Sequence, residues 1–164
     1  MIELLEKINI GKTLKYGLFM LLSLIAQEMV LGQFRVFGVA PLILPACAVA
    51  MGMFKGPIYG PLFSVLLGIF SDMIFIENTI AFTLLFPVIS FVAAFVSEFY
   101  VNRSFFAYMG ASFVALLATG VFQMLKTLAG DSFCMNMIST FVLQAVLSMP
   151  AAAVIYFPPA KWIQ

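Results

Sequence analysis

Histidine is absent from this chain and charge is scarce: eight Lys and Arg and seven Asp and Glu make up 9% of 164 residues. Without histidine there is no two-His zinc site and no Ser-His-Asp triad, and neither a Gly-x-Ser-x-Gly elbow nor a phosphate-cradling glycine loop is present. A net charge of +1, with no basic stripe, excludes nucleic acid as the main partner. Cysteine is nearly absent too. Cys47 falls inside one hydrophobic run and Cys134 at the start of another, a placement unfavourable to a disulfide, so both are expected to be unpaired apolar thiols. Asp72 and Asp131 are the only pair suggesting intramembrane aspartate chemistry, and Asp131 has no supporting motif around it. No catalytic residue, metal or cofactor is therefore expected.

What the chain does have is apolar surface: 64% of residues are hydrophobic, against roughly 45–50% in a soluble domain. Uncharged runs such as Tyr16 to Ile25, Pro61 to Phe70 and Ala81 to Val96 are continuous rather than alternating, which selects membrane helices over a barrel. The expected fold is an all-α integral membrane protein, one transmembrane domain over residues 1–164. Its spans lie near 14–31, 36–54, 57–76, 79–99, 105–128 and 135–157, about six in all. Connections of a few residues leave no space for a soluble domain. The first run follows Lys12 and Lys15 as a signal peptide would, but no small-x-small cleavage site precedes Glu28 and Arg35, so it is read as an uncleaved span.

The distribution of basic residues sets the expected orientation. Placing the N-terminus inside puts Lys7, Lys12, Lys15, Lys55, Arg103 and Lys161 on the cytoplasmic side, leaving Arg35 outside with Glu77 and Asp131. Both termini are then cytoplasmic, with residues 1–13 as a cytoplasmic segment. Leu4, Leu5 and Ile8 share a helical face, so this segment either lies along the interface or is a polar lead-in. After the last span, Pro158 and Pro159 stop the helix and Lys161 and Trp162 stand where interfacial anchors belong.

Gly52, Gly56, Gly60, Ser64, Gly68 and Asp72 recur every fourth residue, a spacing that lets helix backbones approach closely when lipid supplies no hydrophobic drive. The third span is accordingly expected to be the central, protein-buried helix, with Gly56, Gly60, Ser64 and Gly68 packing within the chain or against a partner. Asp72 ends this stripe about one turn inside the membrane, at a depth where a charge is costly and faces protein or water. Under the expected topology Glu28, Gln123 and Lys126 share its layer. They form an outer polar cluster that is either an ion pair of Lys126 with Asp72 or Glu28, or a ligand or partner site. Glu98, with Arg103 after it, marks the cytoplasmic interface. Pro41, Pro45, Pro87 and Pro150 each remove a backbone donor, so kinks or broken helices are expected. The nineteen Phe and eleven Met suit lipid-facing and interhelical surfaces.

The stretch from Gln27 to Asp72 resembles MreD, a small membrane subunit of the bacterial rod-shape machinery, or elongasome. The resemblance rests on Gln27 near the end of the first span, Gly38-Val39-Ala40-Pro41 entering the second, the Lys55-Gly56-Pro57-Ile58-Tyr59-Gly60 turn, and Gly68-Ile69-Phe70-Ser71-Asp72 ending the third. Leu42 departs from the pattern, which often has an acidic residue after the Pro. The resemblance covers about a quarter of the chain; elsewhere only length, hydropathy and span number agree. It implies a non-enzymatic scaffold in the bacterial inner membrane, working with MreC and with the glycosyltransferase and transpeptidase of peptidoglycan elongation. It also implies a six-helix fold similar to the substrate-binding subunits of energy-coupling-factor vitamin transporters. A subunit of that kind, with a small-molecule ligand, is the alternative function. Its Ala-x-x-x-Ala docking motif is missing from the first span, where Ala26 stands alone.

Overall fold

The computed structural model describes residues 10–33, 39–74, 81–99, 104–128 and 136–157, all of them helical or closely flanking helix. Expectations that fall on Leu4, Leu5, Ile8, Arg35, Glu77, Arg103, Asp131, Cys134, Lys161 and Trp162 lie outside the described residues. So does the side chain of Lys126.

Helix α1, Ile10–Ile25, carries Leu14, Leu18, Leu21, Leu22 and Ile25 on its exposed side, whereas Phe19 and Ser23 are buried. It continues into a six-residue π-helical segment, Ala26–Leu31, closed by a bond from the Gly32 N–H to the Gln27 carbonyl (2.8 Å). A π turn accommodates an extra residue and re-aims the side chains that follow. Gln27 continues the buried Phe19 and Ser23 face into this segment, while Glu28 and Met29 point outward.

Helix α2, Leu44–Ile74, is broken at Gly56, whose φ of 84° and ψ of −176° lie in a region essentially restricted to glycine. A Cβ on Gly60 would stand 2.6 Å from the Gly52 Cα. Along an unbroken helix those residues would be about 12 Å apart, so the chain doubles back at Gly56. Residues 44–55 form a first arm and residues 57–74 a second arm. Pro57 stands at the start of the second arm, where its missing N–H costs nothing and its fixed φ suits a helix.

Among the described residues, four helices are long and apolar enough to cross a membrane: Leu44–Ile74, Ala81–Glu98, Phe105–Gln123 and Ile138–Ile155. The described residues thus form the helical architecture of a multi-pass membrane protein. Helix α3 (Ala81–Phe99) runs alongside the second arm, while α4 (Phe105–Leu128) and α5 (Asn136–Ile155) pair with each other and flank the first arm. Both α3 and α5 stay helical through Pro87 and Pro150, and of the four prolines only Pro41 lies in non-helical chain, just before α2 begins beside Pro45; the break at Gly56 is one that the proline pattern did not predict.

The core differs from the expected one. Every residue from Pro41 to Met53 is buried, whereas the second arm exposes Ile58, Leu62, Leu66, Phe70 and Met73. The central element is thus the arm before Gly56 rather than the third span. Its sequence, Leu44-Pro45-Ala46-Cys47-Ala48-Val49-Ala50-Met51, is apolar on every side, as a helix enclosed by others must be. Its small residues let neighbours pack on all faces. The second expected span also shortens. Residues 40–43 are not helical, and the helix starts at Leu44, because Pro41 disfavours helical geometry at Ala40 and Pro45 fits only a first turn.

Tyr108 ties the outer helices to this centre. Fully buried on α4, its hydroxyl donates to the Ala152 carbonyl of α5 (3.0 Å) and lies 3.4 Å from the Ala46 carbonyl of the first arm. Tyr156 packs against Phe54, Phe105 and Tyr108, with ring centroids 5.1–5.5 Å apart, closing that end of the bundle with aromatic contacts.

Candidate functional site

Breaking a helix inside an apolar bundle strands backbone groups that lipid cannot satisfy, at a cost of several kcal/mol each. Here the non-helical stretch from Ala40 to Ile43 is served by three side chains. Gln27 Nε2 donates to the Pro41 carbonyl (3.1 Å) and its Oε1 accepts from the Ile43 N–H (2.8 Å), so one amide spans both sides of Leu42. Ser148 Oγ accepts from the Leu42 N–H (2.8 Å) and donates to the Gln144 carbonyl one turn earlier (2.6 Å). Gln144 Nε2 donates to the Ala40 carbonyl (3.1 Å). The π segment of α1 and the Gln144-x-x-x-Ser148 face of α5 thus approach the break from two sides.

A second site lies where the second arm meets α3. Asp72 Oδ1 accepts from the Phe82 N–H (3.0 Å), and Oδ2 accepts from the Thr83 N–H (2.9 Å) and the Thr83 Oγ1 (2.6 Å). The carboxylate caps the first turn of α3 from a neighbouring helix, pairing orphan N–H groups with a negative charge at the positive end of the helix dipole. Gly68, one turn before Asp72, makes this approach possible, since a Cβ there would lie 2.6 Å from the Thr83 Cα.

The predicted stripe therefore divides by role. Gly60 and Gly52 meet each other and Ser90 of α3, where backbones come so close that a side chain on either glycine collides. Ser64 is buried on the same face and donates to the Gly60 carbonyl (2.9 Å). Gly56 does not belong with this packing: a Cβ there would meet nothing within 4 Å, and its glycine is required by backbone conformation alone. Equal spacing in the sequence does not place Gly52 and Gly60 on one helix face, because the chain reverses between them.

Of the proposed outer cluster, Asp72 spends both carboxylate oxygens on α3, Glu28 is exposed on the π segment, and Gln123 is half-buried on α4. Gln144, Ser148, Ser90 and Tyr108 were not singled out from the sequence. Gln144 and Ser148, four apart in an otherwise apolar run, carried the usual signal of polar residues that face protein inside a membrane. Ser90 and Tyr108 carried none that distinguishes them from neighbouring residues. Comparison with protein-family models, curated proteins and solved structures finds no match to this chain.

Proposed function

We propose that this chain is a non-enzymatic scaffold subunit of a bacterial cell-shape and peptidoglycan-elongation complex, resembling MreD and working beside an MreC-like protein and the wall synthases. One observation carries the reading. The residues on which the resemblance rests are those that set the backbone path: Gln27 bridges the groups around Pro41, Gly56 turns the chain, Gly60 and Gly68 bring helices into contact, and Asp72 caps α3. A motif that specifies a shape, with interior polar side chains bound to backbone, suits a protein whose work is to present a surface.

In this reading the chain crosses the bacterial plasma membrane six times, the two arms of α2 counting as separate crossings. The first arm reaches across by joining its helix to the non-helical stretch before it. Both termini then face the cytoplasm, as the basic residues favour. The deciding experiment is affinity recovery from native membranes in mild detergent, with mass spectrometry of both proteins and small molecules. The expected result is an MreC-like protein and wall synthases without a stoichiometric ligand. Recovery of a transport ATPase module or a bound vitamin would overturn the scaffold and turn attention to the transporter alternative.

A further inference from the structure

The turn between the arms of α2 gathers cationic and aromatic side chains at one end of the bundle. Lys55, half-buried at the end of the first arm, holds its Nζ 5.6 Å from the centroid of the Tyr16 ring on α1. Lys15 precedes Tyr16 and is exposed. Tyr59, in the first turn of the second arm and four residues beyond Lys55, is exposed. Behind them Phe54 leads into the aromatic cluster with Tyr156, Phe105 and Tyr108. Aromatic residues gathered at one end of a membrane bundle mark headgroup depth, where tyrosine presents an apolar ring to lipid and a hydroxyl to water.

At that depth a lysine ammonium comes within reach of lipid phosphates, which attract basic residues near the membrane surface. Leu18 of α1 and Leu62 of the second arm, further along each helix than the tyrosines, are exposed and offer acyl chains an apolar surface deeper than the charges. The cation over the Tyr16 ring is held in a defined position rather than left on a free stem. We propose that Lys15, Tyr16, Lys55 and Tyr59 form a binding site for the phosphate of an anionic phospholipid. The lysines supply charge and the tyrosine hydroxyls supply hydrogen-bond donors. The acyl chains lie along α1 and the second arm. The site is independent of whether the chain is a scaffold.

Native mass spectrometry of the detergent-solubilised protein tests it, with phosphatidylglycerol, phosphatidylcholine or inorganic phosphate added in turn. The wild type is expected to retain phosphatidylglycerol over phosphatidylcholine, and Lys55→Gln to lower that preference by about fivefold, the usual effect of one basic residue at a membrane surface. Lys55→Arg keeps the charge and the ring contact, so it is expected to keep the preference, with a melting temperature measured in parallel to show that each variant is folded. Three results would each overturn the site: equal retention of both lipids by the wild type, an unchanged preference in folded Lys55→Gln, or displacement of phosphatidylglycerol by inorganic phosphate. The last would identify a soluble-anion site instead.

Discussion

Gln27 is a costly residue to bury in an apolar helix, and it is only 4% exposed, so both ends of its amide need partners. Replacing it with Ala leaves the Pro41 carbonyl and the Ile43 N–H without a partner. We expect a loss of about 1–3 kcal/mol for each buried group so stranded, read as a lowered melting temperature in detergent. Ser148→Ala removes the acceptor of the Leu42 N–H and is expected to destabilise in the same way. Ser90 provides the contrast. Its hydroxyl is fully buried with no hydrogen-bond partner among the described residues, so Ser90→Ala removes an unsatisfied group and is expected to be neutral or slightly stabilising. A drop for Ser90→Ala as large as that for Ser148→Ala would contradict the assignment of these two serines.

At the scale of elements the glycines make opposing predictions according to where they stand. Gly56→Ala forces a side chain into a backbone region that disfavours it, at about 1–3 kcal/mol. Gly60→Ala and Gly68→Ala drive a methyl into the backbones of the first arm and α3 and are expected to separate those helices. Gly17 on α1 and Gly110 on α4 meet nothing within 4 Å and sit in helices. Gly17→Ala and Gly110→Ala are therefore expected to leave stability unchanged or raise it by up to about 1 kcal/mol through helix propensity. Melting curves of all five variants in one detergent separate conformational from packing glycines. Asp72→Ala, which removes the cap on α3, is expected to cost about 0.5–2 kcal/mol, the range for a lost N-terminal cap.

Across the whole molecule the lipid-facing helices enclose one buried arm, and Cys47 lies at its centre with no exposed surface. In a Cys134→Ser background, a maleimide is expected to label Cys47 only after the bundle is unfolded. Rapid labelling in native membranes would mean that the first arm is open to water or leaves the bundle. The same arm accounts for the spread of polar contacts: α1, α4 and α5 each send a side chain to its backbone or to the stretch before it, through Gln27, Tyr108 and the Gln144–Ser148 pair. Loss of any one is expected to loosen the centre rather than a single helix end, which hydrogen exchange over residues 39–53 would register.

Composition by itself determined the class of this protein. Continuous apolar runs with so little charge have no stable arrangement in water, and uninterrupted apolarity selects helix because each helix satisfies its own backbone. Asp72, Gly60 and Gly68 were also visible, since a charge and small residues inside an apolar run demand a reason. Only the tertiary structure decided what that reason was. Asp72 answers to N–H groups ten and eleven residues further along the chain, and Gly52 meets Gly60 because one glycine with a positive φ reverses the path between them. Which arm becomes the core is misjudged from the sequence, because both are apolar and the spaced glycines point to the second, whereas the first is apolar on every side and rich in small residues. Backbone partners such as Gln27 with Pro41, or Ser148 with Leu42, are chosen by proximity in space, and local sequence does not encode proximity across 14 or 106 residues.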